Sequence, residues 1–120
     1  ALPIYRQFFV DYDNSFKPAL RVRYLERLRH YINLKRIDGL MVKLGGDTSF
    51  DIFPEGWDKT YCLQHFPDHI HWFVGDRCGK NGNDKEIYDL LKPEKRSFSV
   101  DGPDETRIIT GLILNEIQAI

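Results

Sequence analysis

The order of elements predicts an α/β protein whose second part is built on a parallel sheet. Three observations carry that expectation. Beyond Pro54 the chain reads helix, strand, acidic loop, helix, strand, helix, the pattern of a parallel sheet with crossover helices. An apolar run, HIHWFV at 69–74, ends at Gly75-Asp76 and so places a carboxylate at the carboxyl edge of a sheet, where open α/β folds bind ligands. Residues 16 to 33 repeat apolar side chains at helical spacing. A length of 120 residues is one ordinary domain. Pro54-Glu55-Gly56 is its best internal boundary, separating residues 1–53 from residues 54–120.

The elements follow in order. YRQFFVD, Tyr5 to Asp11, reads as a strand from its aromatic and β-branched content. Asp13-Asn14-Ser15 is a turn and a ready helix cap, and Pro18 fits the first turn of the helix that follows. Leu20, Tyr24, Leu25, Leu28, Tyr31 and Ile32 mark one face of that helix. GLMVKL and TSFDIF are two strands joined by Gly45-Gly46-Asp47, the residues a tight hairpin turn needs. Trp57 to Phe66 is a short helix. HIHWFV is a buried strand, the Gly/Asn-rich loop leads to a helix beginning near Asp84, and SFSV at 97–100 is a second strand. The closing helix starts at Pro103 and is expected to bury Ile108, Ile109, Leu112, Ile113 and Ile117.

Composition excludes several classes. The apolar (42%) and charged (29%) fractions are those of a soluble globular protein. No apolar run approaches the length of a membrane span, and ALPIYRQFF has neither the basic start nor the apolar core of a signal peptide. Two cysteines, Cys62 and Cys78, are too few for a disulfide scaffold. The expected setting is the cytoplasm or a reducing organelle interior, not a secreted or membrane-spanning location. Charge is unevenly spread: residues 1–43 hold nine Lys/Arg against four Asp/Glu, residues 44–120 eight against fourteen. The basic stretch from Arg21 to Arg36 is a solvated helix face or an anion-contacting stripe. The acidic half suggests a cation site.

Chemistry gathers around Asp76. Asp84, eight residues on, can return to the same crevice across a flexible loop. Two carboxylates with nearby carbonyls suit a hard cation such as Mg²⁺, which bridges to phosphate oxygens. Lys59 would bring a point charge to a phosphoryl group. Taken alone, G-D-x₇-D is equally a turn with helix-capping acids. His69 and His71 share one strand face but have no third ligand, so packing is the better reading. Cys78 is read as an incidental loop thiol, and Trp57 and Trp72 as core or interface residues.

Longer runs sharpen this picture. SFDIFPEGWDKTYCL, IHWFVGD and GNDKEIYD resemble the eukaryotic phosphomannomutases in order and spacing, over about residues 5 to 120. The resemblance implies half of a Rossmann-like haloacid-dehalogenase core, residues 54–120, plus the second part of an α/β cap, residues 1–53. It implies the interconversion of mannose 6-phosphate and mannose 1-phosphate through a phosphoaspartyl enzyme with Mg²⁺. Position by position, Ser49 and Asp51 match cap residues that contact the sugar phosphate, and Lys59 matches the lysine that neutralises the phosphoaspartate. Asp76 and Asp84 match magnesium-site carboxylates, with Asn83 beside Asp84 completing the pair that lines the site. Three departures stand out. The family's Gly-Asp-Lys-Thr reads Gly75-Asp76-Arg77-Cys78, the glycine pair before Asn-Asp reads Asn81-Gly82, and a basic segment, DLLKPEKR, replaces the metal-binding loop after Glu86-Ile87-Tyr88. A second, structural cation is therefore not expected.

The family's nucleophile motif, D-x-D-G-T, has no counterpart in these residues. Asp11-Tyr12-Asp13-Asn14 is its only rival. Asn14-Ser15 replaces Gly-Thr, about 48 residues separate Asp11 from Lys59, and the segment aligns better with a cap strand. Arg6, Arg21 and Arg23 match no family arginine. The chain is thus expected to be inactive alone. Its HIHWFV strand would leave an unpaired apolar edge, so a partner is expected: another polypeptide completing the sheet, or a large assembly in which the chain is a non-catalytic structural subunit. An anionic contact through Arg21 to Arg36 belongs to that second reading.

Overall fold

The structure, a computed structural model, describes residues 2–119. They form two compact units, one running to Trp57 and the other beginning at Asp58. Both mix helices with small sheets, so the fold class is α/β. No helix among the described residues is long and apolar enough to cross a membrane.

The first unit contains α1 (Leu2–Asn14), α2 (Leu20–Leu34), β1 (Leu40–Gly45) and β2 (Ser49–Pro54). The two strands pair antiparallel, with Gly45 opposite Ser49, Lys43 opposite Asp51 and Val42 opposite Ile52. Gly46 takes the left-handed backbone of the turn, at φ 56°. Strand alternation sends Val42 to one face, where α2 packs on β1 and Leu25 and Val42 are buried. Arg29 crosses from α2 to donate to the Val42 carbonyl at 3.0 Å.

The strand expected over Tyr5 to Asp11 is instead part of α1. Aromatic composition favoured a strand, but Ile4, Phe8 and Tyr12 recur every four residues, as do Tyr5 and Phe9, and that is helical spacing. Gln7 donates to Asp11 at 2.8 Å, an i,i+4 bond that only a helix makes possible. The second helix begins at Leu20, four residues later than expected, so Pro18 precedes it rather than occupying its first turn. Its N-cap residue, Ala19, has no capping side chain. The Asp13 carboxylate does that work from the end of α1, accepting the Arg21 N–H at 2.7 Å.

The second unit opens with a 3₁₀ helix over Lys59–His65, capped by Asp58, whose carboxylate accepts the Thr60 N–H at 2.8 Å. There follow β3 (Phe73–Gly75), α3 (Lys85–Leu91), a 3₁₀ turn over Lys92–Glu94, β4 (Ser97–Ser99) and α4 (Pro103–Gln118). β3 and β4 are parallel, Val74 facing Phe98, with α3 as the crossover between them. Ile87, Leu91, Val100 and Ile113 form its buried centre.

Two expectations fail here. The strand over 69–74 shortens to Phe73–Gly75: His69 and Ile70 are exposed, and the His69 ring packs edge-on against Phe66. Of the two alternatives for Trp57, core or interface, its exposure removes the core. The apolar face of α4 forms as a helix, but only Ile113 is buried; Ile108, Leu112 and Ile117 are exposed. Periodicity identifies residues that share a face and says nothing of what covers them.

Candidate functional site

The site in the second unit is assembled at the ends of β3 and the loop that follows it. Gly75 closes β3, and a Cβ there would come within 2.5 Å of Asp84 Oδ2 and 2.6 Å of the Phe73 ring. Only glycine leaves room for the carboxylate to lie against the strand. The Arg77 N–H donates to Asp84 Oδ2 at 3.1 Å, and the Asp84 N–H donates to the Arg77 carbonyl at 3.0 Å. This two-way clasp folds the Asp76–Asn83 loop back on itself.

Asp84 therefore stands at the start of α3 without capping it. Its carboxylate turns into the site and is 4% exposed. Lys59, the first residue of the 3₁₀ helix, reaches it: Lys59 Nζ donates to Asp84 Oδ1 at 2.5 Å. The lysine side chain that carries this ammonium is half exposed. A buried carboxylate thus holds a cation at the surface, with donors free for an incoming anion.

Asp76 lies exposed at the end of β3. Cys78 is buried close by, its Sγ 3.5 Å from the Gly75 carbonyl. Burial pushes the Cys78 thiol pKa up, a hydrogen bond with Ser99 lowers it, and the negative charges of Asp84, Asp76 and Asp89 raise it further. The two site carboxylates are thus within electrostatic reach of one thiol. Asn83 Oδ1 is buried and has no hydrogen-bond partner, an acceptor left unused beside Asp84.

Ser49 and Asp51 belong to the first unit, on one face of the β1–β2 hairpin with Gly45 and Lys43. Ser49 Oγ donates to the Gly45 carbonyl at 2.7 Å. A Cβ on Gly45 would come within 2.6 Å of both Ser49 Oγ and Asp51 Oδ1, so the two side chains converge over a bare backbone floor. Both residues are exposed.

Two ion pairs, Asp13–Arg21 and Arg6–Asp47, escaped the sequence reading. Asp13 is buried, and its Oδ2 accepts from Arg21 Nε at 2.9 Å. Arg21 Nη1 donates to the Ser49 carbonyl at 3.1 Å and the Gly46 carbonyl at 3.3 Å. Arg6 pairs with Asp47 at 2.7 Å at the turn. The signal available was a lone acid at the close of an aromatic run, eight residues before an arginine. Asp13 and Asp11 are the two aspartates of the D-x-D rival, and they sit in a helix, Asp13 tied to Arg21 and Asp11 to Gln7. Neither ends a strand as a phosphoacceptor would. Along α2, Arg23 donates to the carbonyls of Lys17 and Pro18, both at 3.0 Å.

A family description of eukaryotic phosphomannomutases matches residues 4–116. A phosphomannomutase of Arabidopsis thaliana is 41% identical over 105 residues, 84% of this chain and 39% of that protein. A probable phosphomannomutase of Caenorhabditis elegans is 38% identical over 115 residues, covering 93% of this chain and 42% of the relative. A phosphomannomutase of Schizosaccharomyces pombe is 51% identical over 72 residues, 57% of this chain and 27% of its own length. The chain spans about two fifths, or less, of the length of the curated relatives it matches.

Proposed function

The chain belongs to the eukaryotic phosphomannomutase family, and from that premise we propose that these residues supply one half of a magnesium-dependent hexose-phosphate mutase site and turn over only when the other half is supplied. The observation that carries this reading is the Lys59–Asp84 pair. A buried, doubly hydrogen-bonded carboxylate fixes a half-exposed ammonium at the mouth of a strand end, and a fixed cation is what phosphoryl transfer asks of its protein. Lys59 would neutralise charge on the transferring phosphoryl group. Ser49 and Asp51 would hydrogen-bond the sugar phosphate, mannose 6-phosphate or mannose 1-phosphate by the family's chemistry.

The donors present fit a magnesium ion. Asp76 offers an exposed carboxylate, Asp84 a buried one, and Asn83 Oδ1 is a buried oxygen without a partner. Among the described residues, no three His, Cys, Asp or Glu side chains are grouped so as to hold a metal ion, so the two carboxylates would bind it together with waters and substrate. An open set of hard oxygen donors suits an ion that retains waters and binds through substrate phosphate. The chemistry it would supply when bound is positive charge against the phosphate. Asp76 and Asp84 would hold it, with Asn83 beside them.

The need for a partner rests on the second unit. Among the described residues β3 and β4 pair only with each other, and a two-stranded sheet is marginal in water. Ile108, Leu112, Leu114 and Ile117 of α4 are exposed together. The relatives are more than twice as long as the matched region, so a polypeptide equivalent to their unmatched part is the expected cover. The same bare surfaces support a second reading, a non-catalytic subunit of a larger assembly. Native mass measured on the chain isolated with its partners separates the two. One companion bearing D-x-D-G-T supports the mutase reading, and co-migration with a large multiprotein complex contradicts it.

A further inference from the structure

We propose that Arg21, clamped by Asp13, is a positioning residue that fixes the hairpin rim carrying Ser49 and Asp51, and so sets how tightly that rim holds a sugar phosphate. The inference rests on the reading of Ser49 and Asp51 as sugar-phosphate contacts. Its geometry stands independently.

Arg21 joins three elements through one planar fork. Nε donates to Asp13 Oδ2, while Nη1 spans the turn from the Gly46 carbonyl to the Ser49 carbonyl. The Arg21 main-chain N–H occupies the other oxygen of Asp13. Both oxygens of the buried carboxylate are thereby committed, and the guanidinium cannot rotate away without leaving a charge unpaired in the interior. The anchored atoms are the backbone oxygens at the two ends of the turn. Ser49 is held twice, by Arg21 at its carbonyl and by its own hydroxyl to Gly45. Asp51 stands two residues further along the same face, converging with Ser49 over Gly45. Fixing the Ser49 backbone therefore fixes the pair.

The second arginine at the turn is a built-in control. Arg6 pairs with Asp47 in the open, its side chain 58% exposed, and exposed pairs of this kind hold little.

The experiment compares Arg21→Lys, Arg21→Met and Arg6→Met in the 120-residue chain, reading amide hydrogen exchange residue by residue and titrating mannose 1-phosphate. Lysine keeps the charge near Asp13 but cannot span both carbonyls, so Arg21→Lys tests the rim even where Arg21→Met fails to fold. Arg21→Lys is expected to speed exchange at Ser49–Asp51 and to weaken mannose 1-phosphate binding, each about tenfold, the equivalent of one charge-assisted hydrogen bond. The Leu25 and Val42 amides and the melting temperature should hold, and Arg6→Met should match the parent chain. Unchanged rim exchange, or exchange rising equally at Leu25 and Val42, overturns the clamp. A looser rim with unchanged affinity overturns its link to binding. A parent chain that ignores mannose 1-phosphate overturns the substrate reading alone, because the exchange data still decide the clamp.

Discussion

Each unit holds one buried aspartate against a cation, and the two pairs are built for opposite ends. In the first, Asp13 meets Arg21, whose side chain is only 13% exposed and whose Nε and Nη1 donate to three protein oxygens. In the second, Asp84 meets Lys59, whose ammonium is half in water. The acids are equally buried, at 3%. What differs is the cation. A planar guanidinium that reaches three acceptors at once is architecture, whereas an ammonium on a half-exposed side chain, held by one carboxylate, is available to a ligand. Burial of a charge does not identify a functional site; the exposure of its partner does.

The comparison breaks first where the interior is sealed. Asp13→Ala strands the Arg21 guanidinium and should cost about 3–5 kcal/mol, seen as an early loss of the first unit in denaturant unfolding. A cost near that of an exposed pair would remove the architectural reading. Gly75→Ala drives a methyl group into the space of the Asp84 carboxylate and the Phe73 ring. About 1–3 kcal/mol should be lost, and the Arg77 amide should exchange faster because its acceptor is displaced. Lys59→Met leaves the buried Asp84 carboxylate with the Arg77 N–H and should cost about 1–3 kcal/mol, less than Asp13→Ala because the lysine side of the pair is open to water. The same change should lower turnover of the assembled enzyme about a hundredfold or more. A large stability loss with unchanged turnover would make Lys59 a second Arg21. The smallest effect is chemical: an alkylating reagent at neutral pH should label the exposed Cys62 and spare Cys78, which is buried and has its thiol pKa raised. Equal labelling would show the site loop opening freely.

Much of this was legible because it is local. Gly45-Gly46-Asp47 announced the hairpin, Asp84 the start of α3, and SFSV the strand beside β3, since turn chemistry and short-range pattern decide each. Lys59 and Asp84 are 25 residues apart, and they were paired through the family resemblance rather than through spacing. What escaped was settled at longer range. The aromatic residues of α1 carry strand composition on a helical period, and in the structure the period wins. The face of α4 was identified correctly as apolar and wrongly as covered, because covering is a property of neighbours. Asp13 and Arg21 look like ordinary surface charges in sequence. Only the close of α1 over the hairpin turns them into a clamp.

The most direct test of the central claim is complementation. The chain is mixed with a polypeptide equivalent to the part of the Caenorhabditis elegans relative that it does not match, and conversion of mannose 6-phosphate to mannose 1-phosphate is followed with Mg²⁺. The account predicts no turnover from either piece, turnover from the mixture, and loss of that turnover with Lys59→Met. Turnover by the 120-residue chain alone, or a stable one-to-one complex with none, would contradict it.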